Sequence, residues 1–313
     1  MLLNDKLKPY LKLVDQELSN LTTYQEVPLF YDPIRYVLDL SGKKIRPLLL
    51  MLSCGLCGGD IKQARFAAAA VELLHNFTLV HDDIMDNDET RRGKPTVHSR
   101  WDVNTAILAG DGLLGFAFQK LLQTAGENNA RLAERFTEAM IIICEGQGLD
   151  KMFEQNLEID SNQYLDMIER KTAALLRMSC ELGAIIAGSS EENIKKMYNF
   201  GHNLGMGFQV QDDILDIIAD QQILGKKVGS DFEMRKQTIL TIKLRQILGD
   251  EEFDKLDLAA YREELSSQGI LDEVSKLTKD YFDQALANLA AFPSSAEKDI
   301  LLELTENLRK RAW

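Results

Sequence analysis

Residues 66–86 read Phe66-Ala67-Ala68-Ala69-Ala70-Val71-Glu72-Leu73-Leu74-His75-Asn76-Phe77-Thr78-Leu79-Val80-His81-Asp82-Asp83-Ile84-Met85-Asp86. The run from Phe66 to Leu74 is nearly all apolar, so the helix carrying it belongs inside a bundle and not on its surface. Asp60 reads as its N-cap, and a helix over 61–86 is nearly 40 Å long at about 1.5 Å per residue. Its last turn carries three carboxylates. Residues four apart share a helical face, so Asp82 stacks with Asp86. Like charges at that spacing repel, and carboxylates on an apolar helix are costly to leave uncompensated. The pattern recurs as Asp212-Asp213-Ile214-Leu215-Asp216, 130 residues later. A divalent cation resolves both problems. Mg²⁺ takes oxygen ligands and fills its shell with water and substrate phosphate, so two such faces could hold one diphosphate through bridging metals.

Outward from these motifs the chain reads as helix. All six prolines lie at 9, 28, 33, 47, 95 and 293, leaving 96–292 free of them. Apolar residues recur there at helical spacing without sustained alternation. Pro47 stands near the start of a helix that Cys57-Gly58-Gly59 stops. Residues 87–95 read as a polar loop. Helices follow over 100–124, 129–155 and 161–187, the last capped by Ser161, and over 191–220. A charged break spans 225–237, and shorter amphipathic helices fill 238–312. The expectation is an all-α chain, one large helical domain over 1–313 built around a central cavity.

The chain has 313 residues, 45% hydrophobic, with a formal net charge of −13. That sign argues against nucleic acid and anionic membrane surfaces as partners. The N-terminus lacks signal-peptide character, and no uncharged apolar run approaches the ~20 residues of a membrane span. The cytoplasm is the default location. Cys54 and Cys57 have redox or half-zinc spacing, but no second pair completes a site, so small buried helix residues are the simpler reading.

An anionic substrate must then be drawn in locally, and basic residues cluster near the motifs. Lys43-Lys44-Ile45-Arg46 precedes a helix start, where backbone N–H groups favour anions. Arg91-Arg92 follows the first motif. Lys171-Thr172 interrupts an apolar segment, and Lys226-Lys227 and Lys236 follow the second motif. Arg offers phosphate a planar fork and Lys a point charge. Each alone could be a surface charge. Together they describe acidic clusters for metal beside basic clusters for phosphate.

In these features the chain resembles the trans-isoprenyl diphosphate synthases of the polyprenyl synthetase family. The likeness runs from about residue 40 to 240. It rests on Gly42-Lys43-Lys44-Ile45-Arg46-Pro47, His75 through Asp86, Arg91-Arg92-Gly93-Lys94-Pro95-Thr96, Lys171-Thr172, Phe208-Gln209 before the second motif, and Gly229, Asp231, Lys236 and Thr238. Ser41 and Arg235 stand where glycine is common, and Ile239-Leu240 where Leu-Pro is frequent.

The resemblance implies an isoprenoid synthase-like fold and a prenyltransferase that joins an allylic diphosphate to isopentenyl diphosphate in trans. It implies three Mg²⁺ per active site: two on Asp82, Asp83 and Asp86, and one on Asp212, with Asp213 and Asp216 supporting. Arg91, Lys171 and Lys226 would contact the allylic diphosphate, with Lys236 a further substrate ligand. Lys43, Arg46, His75 and Arg92 would hold isopentenyl diphosphate. Lys171, Thr172 and Gln209 would stabilise the carbocation, and the family is usually homodimeric.

Phe77 and Thr78, five and four residues before Asp82, should form tunnel wall below the metals. A ring at Phe77 implies a short product, C15 to C20, slightly favouring C20 (geranylgeranyl diphosphate). Two alternatives stay open: a class I terpene cyclase, which needs no isopentenyl site, and a non-catalytic regulatory subunit, which usually lacks motif carboxylates.

Overall fold

The structure is a computed structural model that describes residues 3–22, 26–40, 42–124, 126, 128–154, 156, 158–218 and 229–310. The protein is an all-α helical bundle. In chain order come α1 (Leu3–Ser19), α2 (Pro28–Asp39), α3 (Ile45–Leu56), α4 (Ile61–Met85), α5 (Val97–Arg100), α6 (Val103–Leu122), α7 (Asn129–Phe153), α8 (Ser161–Ile168), α9 (Ala174–Ile186) and α10 (Glu191–Ile218). Helices at Ser230–Glu233, Ile239–Leu248, Asp250–Phe253, Leu258–Ser267, Ile270–Ala290 and Ala296–Arg309 complete the described chain. Two compact units divide it. One comprises Met1–Met140, Met178–Tyr198 and Phe292–Leu301, and the other Ile141–Arg177, Asn199–Ala291 and Leu302–Trp313.

In the first unit α4 is the central helix, packed against α1, α3 and α6. Asp60 caps it as expected, accepting from the Lys62 amide at 2.9 Å. Ala67 to Ala70 are fully buried. Their small side chains let neighbouring helices approach, and the fully buried Leu48–Leu52 run of α3 fills the core, each leucine contributing about 1.5–3 kcal/mol. Cys54 lies in the same core, where burial pushes its thiol up to about 12. It is a free, inert cysteine.

The expected helix over 100–124 is instead two, because Asp102 leaves helical geometry and caps α6 through a 2.7 Å bond from the Thr105 amide. By length and apolarity α6 passes as a membrane span, which the sequence reading did not anticipate. Its buried side is core, and its Lys120 ion-pairs with Glu17 at 2.8 Å. Burial works against the Glu17 charge, but hydrogen bonds from Lys120 and Arg65 outweigh it and hold the carboxyl below its usual range.

The expected loop 87–95 contains a two-stranded antiparallel ribbon, Thr90–Arg91 against Lys94–Pro95. Its turn residues Arg92 and Gly93 have φ of 54° and 71°, the positive-φ pair of a type I′ hairpin.

In the second unit α8 is capped by Asp160, not Ser161. The Asp160 carboxylate accepts from the Gln163 amide while the Gln163 side chain accepts from the Asp160 amide, both at 2.9 Å. This reciprocal box favours Asp160, one residue earlier than expected. The expected continuous helix over 161–187 is broken by a π-helical turn at Glu169–Ala173. Two glycines press on that turn. A Cβ on Gly146 of α7 would stand 2.3 Å from the Lys171 backbone nitrogen, and one on Gly205 of α10 would stand 2.6 Å from Ala173 Cα. Such close approaches exclude any side chain at either position. Ile168, Ala173, Val210, Ile214, Leu240 and Tyr261 form part of the surrounding core.

Candidate active site

Within the first unit, the end of α4 sorts its carboxylates by direction. Asp82 and Asp86 are half-buried, whereas Asp83 is buried. At about 100° per residue Asp83 points away from the Asp82–Asp86 face and meets Arg91, whose Nε donates to Asp83 Oδ1 at 2.6 Å. Burial pushes the Asp83 carboxyl up, with Arg91 opposing. Thr78 lies one turn before Asp82 on nearly the same face. Its hydroxyl donates to the His75 carbonyl at 2.8 Å. Phe77, about 140° round from Asp82, is buried against His81.

The basic residues of this unit form a corner of positive charge. Arg46 donates from Nη1 to Nε2 of His75 at 3.2 Å. Its buried Nε has no hydrogen-bond partner among the described residues. Burial lowers Arg46 to about 10, Glu72 opposes the shift and Arg92 adds to it. Burial, then Arg46, Arg92 and Arg91, hold His75 well below its ordinary range, so the ring is neutral. Glu72, 2% exposed, is the internal counter-charge, its carboxyl raised by burial and opposed mainly by Arg46.

Arg92 Nη1 donates to the Leu40 carbonyl at 2.6 Å. A Cβ at Gly42 would lie 2.7 Å from the Arg92 guanidinium, so Gly42 leaves the space that Arg92 occupies. Lys43 is exposed. Lys44, with φ of 50° at the start of α3, reaches Asp15 at 2.5 Å. A small cavity of about 30 Å³ lies between Tyr36, Asn76, Asp83, Arg91 and Arg92.

In the second unit the π turn presents Lys171 and Thr172, and π turns recur at functional sites. Lys171 Nζ pairs with Asp150 Oδ2 at 2.5 Å. The Thr172 hydroxyl donates to Gln209 Oε1 at 3.0 Å, and Gln209 Nε2 donates to Asp213 Oδ1 at 3.1 Å. Asp213 Oδ2 accepts a short bond from the buried Tyr164 hydroxyl. The chain runs one way, so the Thr172 proton is committed to Gln209 and its oxygen lone pairs remain for another group. Burial pushes the Asp213 carboxyl up to about 8 and the Tyr164 phenol well above its usual range.

Asp216 is fully buried and accepts from Ser230 Oγ at 2.8 Å and from the Asp231 amide at 3.0 Å. Asp212 is half-buried. Lys236 pairs with Asp231 at 3.7 Å and lines a cavity of about 160 Å³ with Arg235 and Arg245. Arg235 has φ of 53°, a left-handed conformation that costs a non-glycine residue about 1–2 kcal/mol. Lys226 lies outside the described residues.

Among the described residues no group of three or more Asp, Glu, His or Cys side chains converges as a self-sufficient metal cage. Asp83, Asp213 and Asp216 are engaged by protein donors. Asp82, Asp86 and Asp212 are half-buried and have partners of their own. One or two carboxylates, with phosphate and water completing the shell, is the donor set that suits Mg²⁺.

Sequence reading did not find Tyr164, Glu72 or Asp150. Tyr164 is 49 residues from Asp213, beyond any local pattern, although a buried tyrosine hydroxyl generally needs a partner.

The geranylgeranyl diphosphate synthase of Sulfolobus acidocaldarius is 42% identical over 288 residues, covering 87% of each chain. A geranylfarnesyl diphosphate synthase of Natronomonas pharaonis is 32% identical, covering 96% of each. The crystal structure of a geranylgeranyl pyrophosphate synthetase from Pyrococcus horikoshii superimposes with a TM-score of 0.94 at 36% identity, covering 98% of each chain. The polyprenyl synthetase profile matches residues 27–277. The chain belongs to the polyprenyl synthetase family and is a prenyltransferase closely related to the short-chain trans-isoprenyl diphosphate synthases.

Proposed function

We propose that this enzyme condenses an allylic diphosphate with isopentenyl diphosphate, releases diphosphate, and stops at C15 to C20, with geranylgeranyl diphosphate slightly favoured. The observation that carries the two-substrate reading is the corner formed by Arg46, His75 and Arg92. Two guanidiniums crowd a neutral imidazole, and a buried Arg46 Nε lacks a partner among the described residues. An anion relieves both conditions, and isopentenyl diphosphate is the anion that this reading assigns, with Lys43 at its edge. A terpene cyclase would have no use for this second anion site. A regulatory subunit would not need both intact acidic motifs.

Asp82, Asp86 and Asp212 would hold Mg²⁺, three ions per site in this reading, with Asp83, Asp213 and Asp216 positioned behind them. When bound, the metal supplies neutralisation of the charge that builds on the departing diphosphate. The protein's own groups do the rest. Arg91, Lys171, Lys226 and Lys236 bind the allylic diphosphate. Thr172, its proton held by Gln209, turns oxygen lone pairs toward the allylic cation, a fixed dipole placed where charge develops. The isopentenyl double bond attacks that cation, and the departing diphosphate takes the proton. The apolar helix walls exclude water that would quench it. Phe77 and Thr78 limit chain growth.

That both acidic motifs act on one diphosphate, and that 1–313 works as a single domain, belong to the same proposal. So do a homodimer formed through the exposed Val103, Ile107 and Leu108 of α6, the core-helix reading of α6 in place of a membrane span, and a cytoplasmic location. Incubation with Mg²⁺, isopentenyl diphosphate and each of dimethylallyl, geranyl and farnesyl diphosphate tests the chemistry. Dimethylallyl and geranyl diphosphate should be extended, farnesyl diphosphate should gain at most one unit, and the series should end by C20. Accumulation of C25 or longer overturns the length assignment. A hydrocarbon formed without isopentenyl diphosphate overturns the reaction.

A further inference from the structure

Phe77 and His81 lie one turn apart on α4, and their rings meet edge to face with centroids 4.7 Å apart at 61°. His81 in turn rests on α6. Its Nε2 lies 3.4 Å from the Ile107 carbonyl oxygen. A Cβ at Gly110 would stand 2.2 Å from the same Nε2 and 2.5 Å from Cδ2. Gly110 is mid-helix and buried, where glycine costs about 0.5–1 kcal/mol relative to alanine. Its φ is not positive, so backbone freedom gives no reason for it. The imidazole does, because it fills the space a methyl would take. Phe77 does not stand beneath Asp82 on the helix face, so its ring orientation depends on what it leans against, and His81 is an aromatic partner in direct contact.

We propose that His81 is a positioning residue for product length: seated in the notch at Gly110, its imidazole fixes the angle at which the Phe77 ring meets a growing isoprenoid chain. This rests on the reading of Phe77 as the limit to growth. Without the imidazole, the Phe77 ring can fall back toward α6 and open the path.

The test compares the full-length enzyme with F77A, H81A and F77A/H81A, using geranyl and isopentenyl diphosphates with Mg²⁺. Product lengths are measured, together with kcat and KM for both substrates. H81A is expected to move the main product up by at least one five-carbon unit. Because His81 acts through Phe77, the double variant should match the product distribution of F77A alone. H81Q, which keeps a planar group of similar reach, should restore shorter products relative to H81A.

If F77A lengthens the product and folded H81A does not, the His81 proposal fails while the Phe77 reading stands. If F77A itself changes nothing, the Phe77 reading fails and the proposal with it. A fall in H81A kcat with unchanged product length also overturns the proposal, since a merely structural role would produce that. Should H81A not fold, G110A carries the test. Its methyl displaces the imidazole, so an unchanged product distribution from folded G110A overturns the proposal.

Discussion

Arg46 donates from Nη1 to Nε2 of His75 across 3.2 Å. Arginine has no acceptor, so His75 must offer a lone pair there and is held as a neutral ring. Its folded pKa lies well below the ordinary 6.5. The unfolded chain therefore binds more protons at this site once pH falls below about 6.5. The native state keeps its full stability from this site above that value. Stability is lost as pH falls toward the folded pKa, at up to about 1.4 kcal/mol per pH unit. H75Q should therefore lose less stability than the parent between pH 7 and pH 5, measured by denaturant unfolding at several pH values. Equal slopes would contradict the buried neutral histidine.

Substitution at Gly42 is expected to separate binding of the two substrates. A methyl there meets the end of the Arg92 side chain at 2.7 Å, a flexible group that can move. G42A should change stability by less than about 1 kcal/mol. It should raise KM for isopentenyl diphosphate several-fold and leave the allylic KM near the parent value. Steady-state kinetics with each substrate varied in turn checks this.

Tyr164 supports the second motif from beneath. Y164F removes the hydroxyl that donates to Asp213 Oδ2 and leaves a buried carboxyl with fewer donors, costing about 1–3 kcal/mol. The Thr172–Gln209–Asp213 chain then loses its anchor. The expected result is a lower Tm and a kcat down about tenfold with both KM values little changed. An unaltered kcat would show that the chain needs no anchor.

Gly146 tests the π turn. A Cβ there would stand 2.3 Å from backbone at Lys171, which cannot swing aside as a side chain can. G146A should destabilise by about 1–3 kcal/mol and shift Lys171 and Thr172, reducing kcat more than KM. Thermal unfolding and steady-state kinetics read the two effects separately.

The helical architecture and the Asp82–Asp86 face follow from periodicities that the sequence carries openly. Asp60 caps α4 and glycine follows α3, as local rules require. Part of what was hidden depended on distant partners. Glu169–Ala173 has ordinary helical composition. Nothing local marks the π turn, which lies where Gly146 and Gly205 bring other helices close. Arg92-Gly93 lacks the Asn-Gly or Asp-Gly signature of its turn type, so the ribbon read as loop. Asp160 and Ser161 can both cap a helix, and only the geometry of Gln163 separates them. Asp82, Asp83 and Asp86 read as holding two metals and Asp212 a third, with Asp213 and Asp216 in support, and helical spacing alone did not show that Asp83, Asp213 and Asp216 each meet protein donors. Helical spacing places a side chain on a face without revealing what covers that face.

The most direct test of the central claim is a crystal structure of the enzyme with Mg²⁺ and a non-reactive allylic thiodiphosphate. One diphosphate group is expected, held through metal ions by Asp82 and Asp86 on one side and Asp212 on the other, with Thr172 facing the allylic carbons. A diphosphate bound at one motif alone, or the two motifs opening onto separate surfaces, would contradict it.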